Sequence, residues 1–120
     1  MPVRSLHSSV LRWPEASEVM AALRLWLAAI GPDHPELVAL GVFGSYGRGE
    51  AGVGSDLDLV AIVRSAARPF IERGRAWPLE RLPVPAEILV YTTAEWTDLE
   101  HRGGRFAEAL KRDTRWIHPA

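Results

Sequence analysis

The stretch from Val42 to Val60, Val-Phe-Gly-Ser-Tyr-Gly-Arg-Gly-Glu-Ala-Gly-Val-Gly-Ser-Asp-Leu-Asp-Leu-Val, restricts the possible folds more than any other part of this chain. The apolar run Leu37 to Phe43 stops abruptly at Gly44-Ser45, and a loop with four further glycines follows. A second apolar run, Leu57 to Val63, then opens with carboxylates at Asp56 and Asp58. Short apolar runs between breakers read as buried strands, and the second is apolar enough to be central in a sheet. Between them, Tyr46 to Glu50 suits a short helical turn. Its first amides would face the end of the preceding strand, a place for an anion. A lysine-bearing P-loop is excluded, because Lys111 is the only lysine in the chain.

The acids add a second constraint. Strand side chains alternate between faces, so Asp56 and Asp58 project together while Leu57 and Leu59 enter the core. Two neighbouring carboxylates raise each other's pKa unless a cation lies between them. Oxygen ligands without histidine or cysteine favour Mg²⁺ or Mn²⁺ over zinc, and Mg²⁺ is commonly shared between carboxylates and substrate phosphates. A third acid, Glu87, interrupts the apolar run Val84 to Tyr91. An acid among strand apolars demands a partner. If this strand lies beside Leu57–Val63, Glu87 projects next to Asp56 and Asp58, and the three acids can hold two ions about 4 Å apart. The alternative places Glu87 at an exposed edge near Pro85. On the phosphate side, Gly44 admits close backbone approach, Ser45 offers an amide and a hydroxyl, and Gly47 and Gly49 keep the turn clear. Arg48 has the reach for a bidentate phosphate contact.

The remaining elements fit one domain over residues 1–120. A helix is expected from near Pro14, with Val19, Leu23, Trp26, Leu27 and Ile30 as its apolar stripe and Gly31-Pro32 as its stop. Trp26 reads as core and His34 as a solvated loop residue. Residues 64–81 carry five arginines against Glu72 and Glu80. They suit either a phosphate or acidic-partner surface, or a solvated connection. Thr92 and Glu95 have capping-box spacing for a helix with Trp96 and Leu99 inward. Gly103-Gly104 breaks it, and a last helix from Arg105 to Arg112 is expected to bury Phe106, Ala109 and Leu110. Trp116 and Ile117 close the chain as an extended or edge segment. The order predicts an α/β (α+β) fold, a small mixed sheet flanked by helices.

At 120 residues the chain has room for one core and no separate substrate domain. Its net charge of −1 argues against a general nucleic-acid or membrane-surface binder. Cysteine is absent, which rules out disulfides and thiolate metal sites and fits a cytoplasmic location. Met1 to Val10 lacks the apolar core of a signal peptide, and no run is long enough to span a membrane.

Phe43-Gly44-Ser45-Tyr46-Gly47-Arg48-Gly49 followed by Ser55-Asp56-Leu57-Asp58-Leu59 resembles the signature of the nucleotidyltransferase superfamily that includes DNA polymerase β. The match is strongest over Leu40 to Val63, and the small size is similar to the minimal nucleotidyltransferases paired with HEPN-domain proteins as antitoxins. The resemblance implies a polymerase β palm-like fold. It also implies triphosphate at Gly44 and Ser45, with Arg48 and Ser55 beside it, and metals at Asp56 and Asp58 with a third acid on a later strand. Aspartate is usual at that third position, and Glu87 is one methylene longer. The implied reaction is Mg²⁺-dependent transfer of AMP from ATP to a hydroxyl, with a tyrosine of a HEPN toxin as acceptor in a type VII-like antitoxin system. A catalytically weak antitoxin acting by masking is the alternative, with the 64–81 segment, Trp77 and Trp116 as interface. Transfer to a small molecule is a further one.

Overall fold

The computed structural model describes residues 3–4 and 11–119. Short strands β1 (Val3–Arg4) and β2 (Leu11–Arg12) pair antiparallel. The other residues among 1–10, and with them most of the signal-peptide reading, lie outside the described residues. Helix α1 (Ala16–Ile30) begins after Glu15, whose side chain and that of Glu18 form a reciprocal capping box. Pro14 therefore precedes the cap and does not enter the first turn. Val19, Leu23, Trp26 and Ile30 are the buried residues of α1, as its helical spacing predicts, and each contributes roughly 1.5–3 kcal/mol on burial. The expected glycine stop takes another form. Gly31 stays right-handed at φ −49°, and the chain tightens into a 3₁₀ turn, Gly31–Asp33, whose φ is set by Pro32.

The main sheet contains β3 (Leu37–Phe43), β4 (Leu57–Val63), β5 (Ala86–Thr92) and β6 (Arg115–His118). Its order is β5-β4-β3-β6; β4 and β5 are parallel, and the other pairs are antiparallel. The mixed sheet expected from the sequence is present. Leu40 and Val42 from β3 meet Leu57, Leu59, Ala61 and Val63 from β4 in the core that α1 covers. The pleat sends Val60 and Ile62 to the other face, where α3 (Thr93–Arg102) and α4 (Arg105–Asp113) lie. The capping box of α3 forms as predicted, with Thr92 Oγ1 accepting from Glu95 N–H and Glu95 accepting from Thr92 N–H. Tyr91, Trp96 and Trp116 stack edge to face, with successive centroids 5.6 Å apart.

Three side chains depart from expectation. Trp77 is only 5% exposed, so it is core and not interface. Its ring stacks on His34 at 3.9 Å and tilts against Trp26 at 6.2 Å, and Trp26 Nε1 donates to Pro78 O at 2.9 Å. His34 is accordingly held, with Nδ1 3.4 Å from Glu36, and is not a solvated loop residue. Phe106 is 47% exposed and meets Phe43 edge-on at 6.3 Å; Leu110 and Asp113 are the buried residues of α4.

The basic 64–81 segment forms two 3₁₀ stretches, Phe70–Ala76 and Leu79–Arg81. Within it, Arg73 donates to Arg68 O at 2.8 Å, to Val90 O at 3.0 Å and to Glu95 at 2.5 Å. The Arg73 hydrogen bond, then the Thr92 amide, pull the Glu95 carboxyl down to about 2. Among the described residues no helix is long and apolar enough to cross a membrane.

Candidate active site

Sheet register decides which acids meet. Phe43 of β3 pairs with Asp58 of β4, and Asp58 pairs with Glu87 of β5. Register partners share a face, so Phe43, Asp58 and Glu87 form a row across three strands, opposite the core leucines Leu57 and Leu59. Glu87 thus stands beside Asp58, and its strand is also an edge strand, so both sequence-based placements of it describe part of the truth. Asp56 stands one residue ahead of β4, where the Leu57 amide donates to Pro85 O at 2.9 Å. The half-buried Asp58 carboxyl is pushed above its ordinary range by burial, then by the charges of Glu87 and Asp56; Arg48 opposes this.

These carboxylates are not converged on one point. Among the described residues no group of three or more acidic, histidine or cysteine side chains is gathered to hold a metal ion, so the expected three-ligand cage is not formed. Asp56 and Glu87 are exposed. The donor chemistry still suits a hard divalent cation: oxygen ligands, with one carboxylate crowded by two others.

The glycine turn lies directly against this row. Gly44 opens α2 (Gly44–Gly47) with φ +63°, a left-handed conformation that side chains rarely adopt. A Cβ there would overlap Asp58 Oδ2 and stand 3.2 Å from its Cγ. The expected turn therefore starts two residues earlier than Tyr46, close enough for one ligand to touch both the Gly44-Ser45 backbone and the Asp58 carboxylate. Ser45 O accepts from the Glu50 amide at 2.8 Å, which folds the turn back on itself. Ser55 acts on the loop: its Oγ accepts from Gly52 N–H at 3.0 Å and its own amide donates to Gly52 O at 3.0 Å. That clamp fixes the loop from which Asp56 emerges.

Arg48 is engaged within the protein. Its guanidinium pairs with Glu50 at 3.0 Å and with Asp113 at 3.5 Å. The sequence reading missed Asp113, yet a signal existed: an acid in the last turn of a helix opposes the helix dipole and calls for a cationic partner. A separate cavity of about 230 Å³, lined by His34, Glu36, Ser65, Arg73 and Trp77 among others, includes Val63 at the far end of β4 and none of the three acids.

The profile of the nucleotidyltransferase domain matches residues 29–112, which contain the glycine turn and all three acids. The chain belongs to the nucleotidyltransferase domain family. Among solved structures, this nucleotidyltransferase chain is similar to the crystal structure of a protein assigned as a nucleotidyltransferase from Sulfolobus solfataricus. The two share 17% identity over 85% of each chain with a TM-score of 0.57, a likeness of fold. No curated protein matches the sequence. Family membership supports nucleotidyl transfer in general, a chemistry that generally uses nucleoside triphosphates and divalent metals.

Proposed function

We propose that this nucleotidyltransferase transfers AMP from Mg²⁺–ATP to a hydroxyl carried by a second protein, a tyrosine of a HEPN-type toxin, and so acts as an antitoxin. The observation that supports the reading is that Gly44 lies so close to Asp58 that a Cβ there would overlap the carboxylate, which sets the glycine turn directly against the acid row. Asp56, Asp58 and Glu87 would hold the divalent metal, with Mn²⁺ able to replace Mg²⁺ and two ions accommodated if the carboxylates converge. The bound metal would neutralise the triphosphate and acidify the acceptor hydroxyl. The Gly44-Ser45 turn would bind the β- and γ-phosphates, and the acceptor oxygen would attack the α-phosphorus. The α–β P–O bond breaks, pyrophosphate leaves, and the hydroxyl proton passes toward the Glu87 carboxylate. The domain character, the acceptor and the partner rest on the resemblance stated above.

A second reading is favoured by the open arrangement of the acids and by the Arg48 ion pairs: an antitoxin that masks its partner without catalysis. Trp116, 42% exposed, remains available to such an interface, whereas Trp77 does not. Labelled ATP, Mg²⁺ and the co-expressed partner separate the two. Transfer of label to the partner that is lost in Asp56→Ala/Asp58→Ala supports the enzyme. Equal labelling by wild type and variant overturns it, and full silencing of the toxin by the unlabelling variant establishes masking.

A further inference from the structure

Asp113 is a buried charged side chain that the proposed chemistry does not use. It ends α4, is 9% exposed, and sits between two guanidinium groups: Arg112 Nε at 3.0 Å and Arg48 Nη1 at 3.5 Å. Its backbone reaches the same place. A Cβ on Gly47 would overlap Asp113 O and lie 2.7 Å from Val42 O, so the last residue of the glycine turn packs without clearance against the end of α4. The turn is thereby fixed to α4 by a main-chain contact at Gly47 and by an ion pair one residue later.

Arg48 has a second carboxylate partner, Glu50, but that one has a 63% exposed side chain and follows in the same loop, so it can swing away with little effect. Asp113 belongs to a helix end and is not free to follow. The Arg48 amide donates to Gly44 O at 3.0 Å, so Arg48 closes the same turn whose first residue lies against the Asp58 carboxylate. An arginine left mobile would lose rotamer freedom on engaging phosphate; one already held gives up less.

We propose that Asp113 is a positioning residue that holds Arg48 toward the triphosphate at the Gly44-Ser45 turn. The inference rests on the nucleotide-binding reading above. Bound phosphate displaces the exposed Glu50 from Arg48, while Asp113 keeps its hold from the opposite side.

The test is Mg²⁺–ATP affinity by calorimetry and by kinetics where transfer is measured, in Asp113→Asn, Arg48→Lys, the double variant and Glu50→Gln. Loss of a charge-assisted contact is expected to weaken ATP binding about tenfold in Asp113→Asn. KM rises while kcat changes little, because the contact is made in ground and transition states alike. The double variant is expected to be no weaker than Arg48→Lys alone, since Asp113 acts through Arg48. Glu50→Gln is expected to bind ATP as well as wild type or better. Additive losses in the double variant, or unchanged affinity in Asp113→Asn despite a lowered Tm, would overturn the proposal and leave Asp113 a structural residue. If the wild type binds no Mg²⁺–ATP, the nucleotide-binding reading itself fails, and that outcome is distinct from both.

Discussion

Replacing Gly44 by alanine tests the central geometry, provided it is compared with Gly49→Ala. Both glycines are left-handed, Gly44 at φ +63° and Gly49 at φ +73°. A Cβ in that region costs about 1–2 kcal/mol per residue, so the backbone penalty should be nearly equal at the two sites. For a chain of this length that corresponds to a fall in Tm of roughly 3–10 °C. The surroundings differ. Nothing lies within 4 Å of a Cβ on Gly49, whereas one on Gly44 overlaps Asp58 Oδ2 and crowds Cγ at 3.2 Å.

The overlap falls on the end of a side chain that can rotate, so it adds little to the loss of stability. Its effect is to turn the Asp58 carboxylate out of its row with Glu87. On the proposed reading Asp58 holds the metal, and disturbing even a residue that supports a metal ligand typically weakens binding by about tenfold to a hundredfold, so a loss of at least that order is expected. Thermal denaturation with and without millimolar Mg²⁺–ATP reads both quantities at once, because a ligand of the native state raises Tm by mass action. The expected result is similar Tm in the two apo variants, with the nucleotide-dependent rise retained in Gly49→Ala and lost in Gly44→Ala. Equal rises in both variants would refute the argument that the turn and Asp58 form one site.

Two pH-dependent predictions have opposite signs. The Asp58 carboxyl is raised by burial and by its acidic neighbours, so its ionisation opposes folding: its contribution is favourable at low pH and is lost as pH rises through the folded pKa. Asp58→Asn is therefore expected to melt higher than wild type near pH 7 in metal-free buffer, with the advantage shrinking as pH falls; a variant that melts lower at neutral pH would contradict this. The Glu95 carboxyl is lowered to about 2 by Arg73, so its stabilising effect is complete above the ordinary value of 4.5 and is lost as pH falls toward 2. In urea titrations, Glu95→Gln is expected to be the less stable protein at pH 7 and to approach wild type only as pH falls to about 2; a gap that persists there unchanged would show that the Arg73 ion pair is not its source.

What could be read from the sequence was local. Strands Leu37–Phe43 and Leu57–Val63 have the predicted bounds, because an apolar run ended by glycine or charge leaves little freedom in assignment. The Thr92–Glu95 box is a four-residue signal and formed as such. The strand period also predicts Asp56 and Asp58 on one face, but β4 begins only at Leu57, so the alternation applies within the strand to Asp58 and not to Asp56. What escaped was long-range. Arg73 and Glu95 are 22 residues apart, and Trp26 and Pro78 are 52 apart. No local pattern says that a basic, proline-broken segment will send Trp77 into the core. Phe106 failed for a related reason: helical spacing names a stripe, but Leu110 and Asp113 are what α4 buries.

The basic segment also bears on how the site meets its acceptor. Strand β5 is at the edge of the sheet, and an uncovered edge is prone to pair with other chains. The Phe70–Ala76 stretch packs on β5, Gly74 lies close to Ile88, and Arg73 donates to Val90 O, so this segment shields the later half of the strand. Its key arginine, 11% exposed, is used in that work and in holding Glu95, which weighs against the alternative of a phosphate-binding surface there. Glu87 lies before these contacts, at the start of the same strand, and stays exposed beside Asp58. The fold thus closes one end of β5 and leaves the acid-bearing end open on the face shared with Phe43 and the exposed Phe106. On the proposed reading, an acceptor hydroxyl reaches the α-phosphate from that open end, past an aromatic pair suited to a tyrosine ring. Interface substitutions at Phe106 should then disturb transfer more than substitutions at Arg68 or Arg75, which are exposed on the segment that covers the other half of the strand.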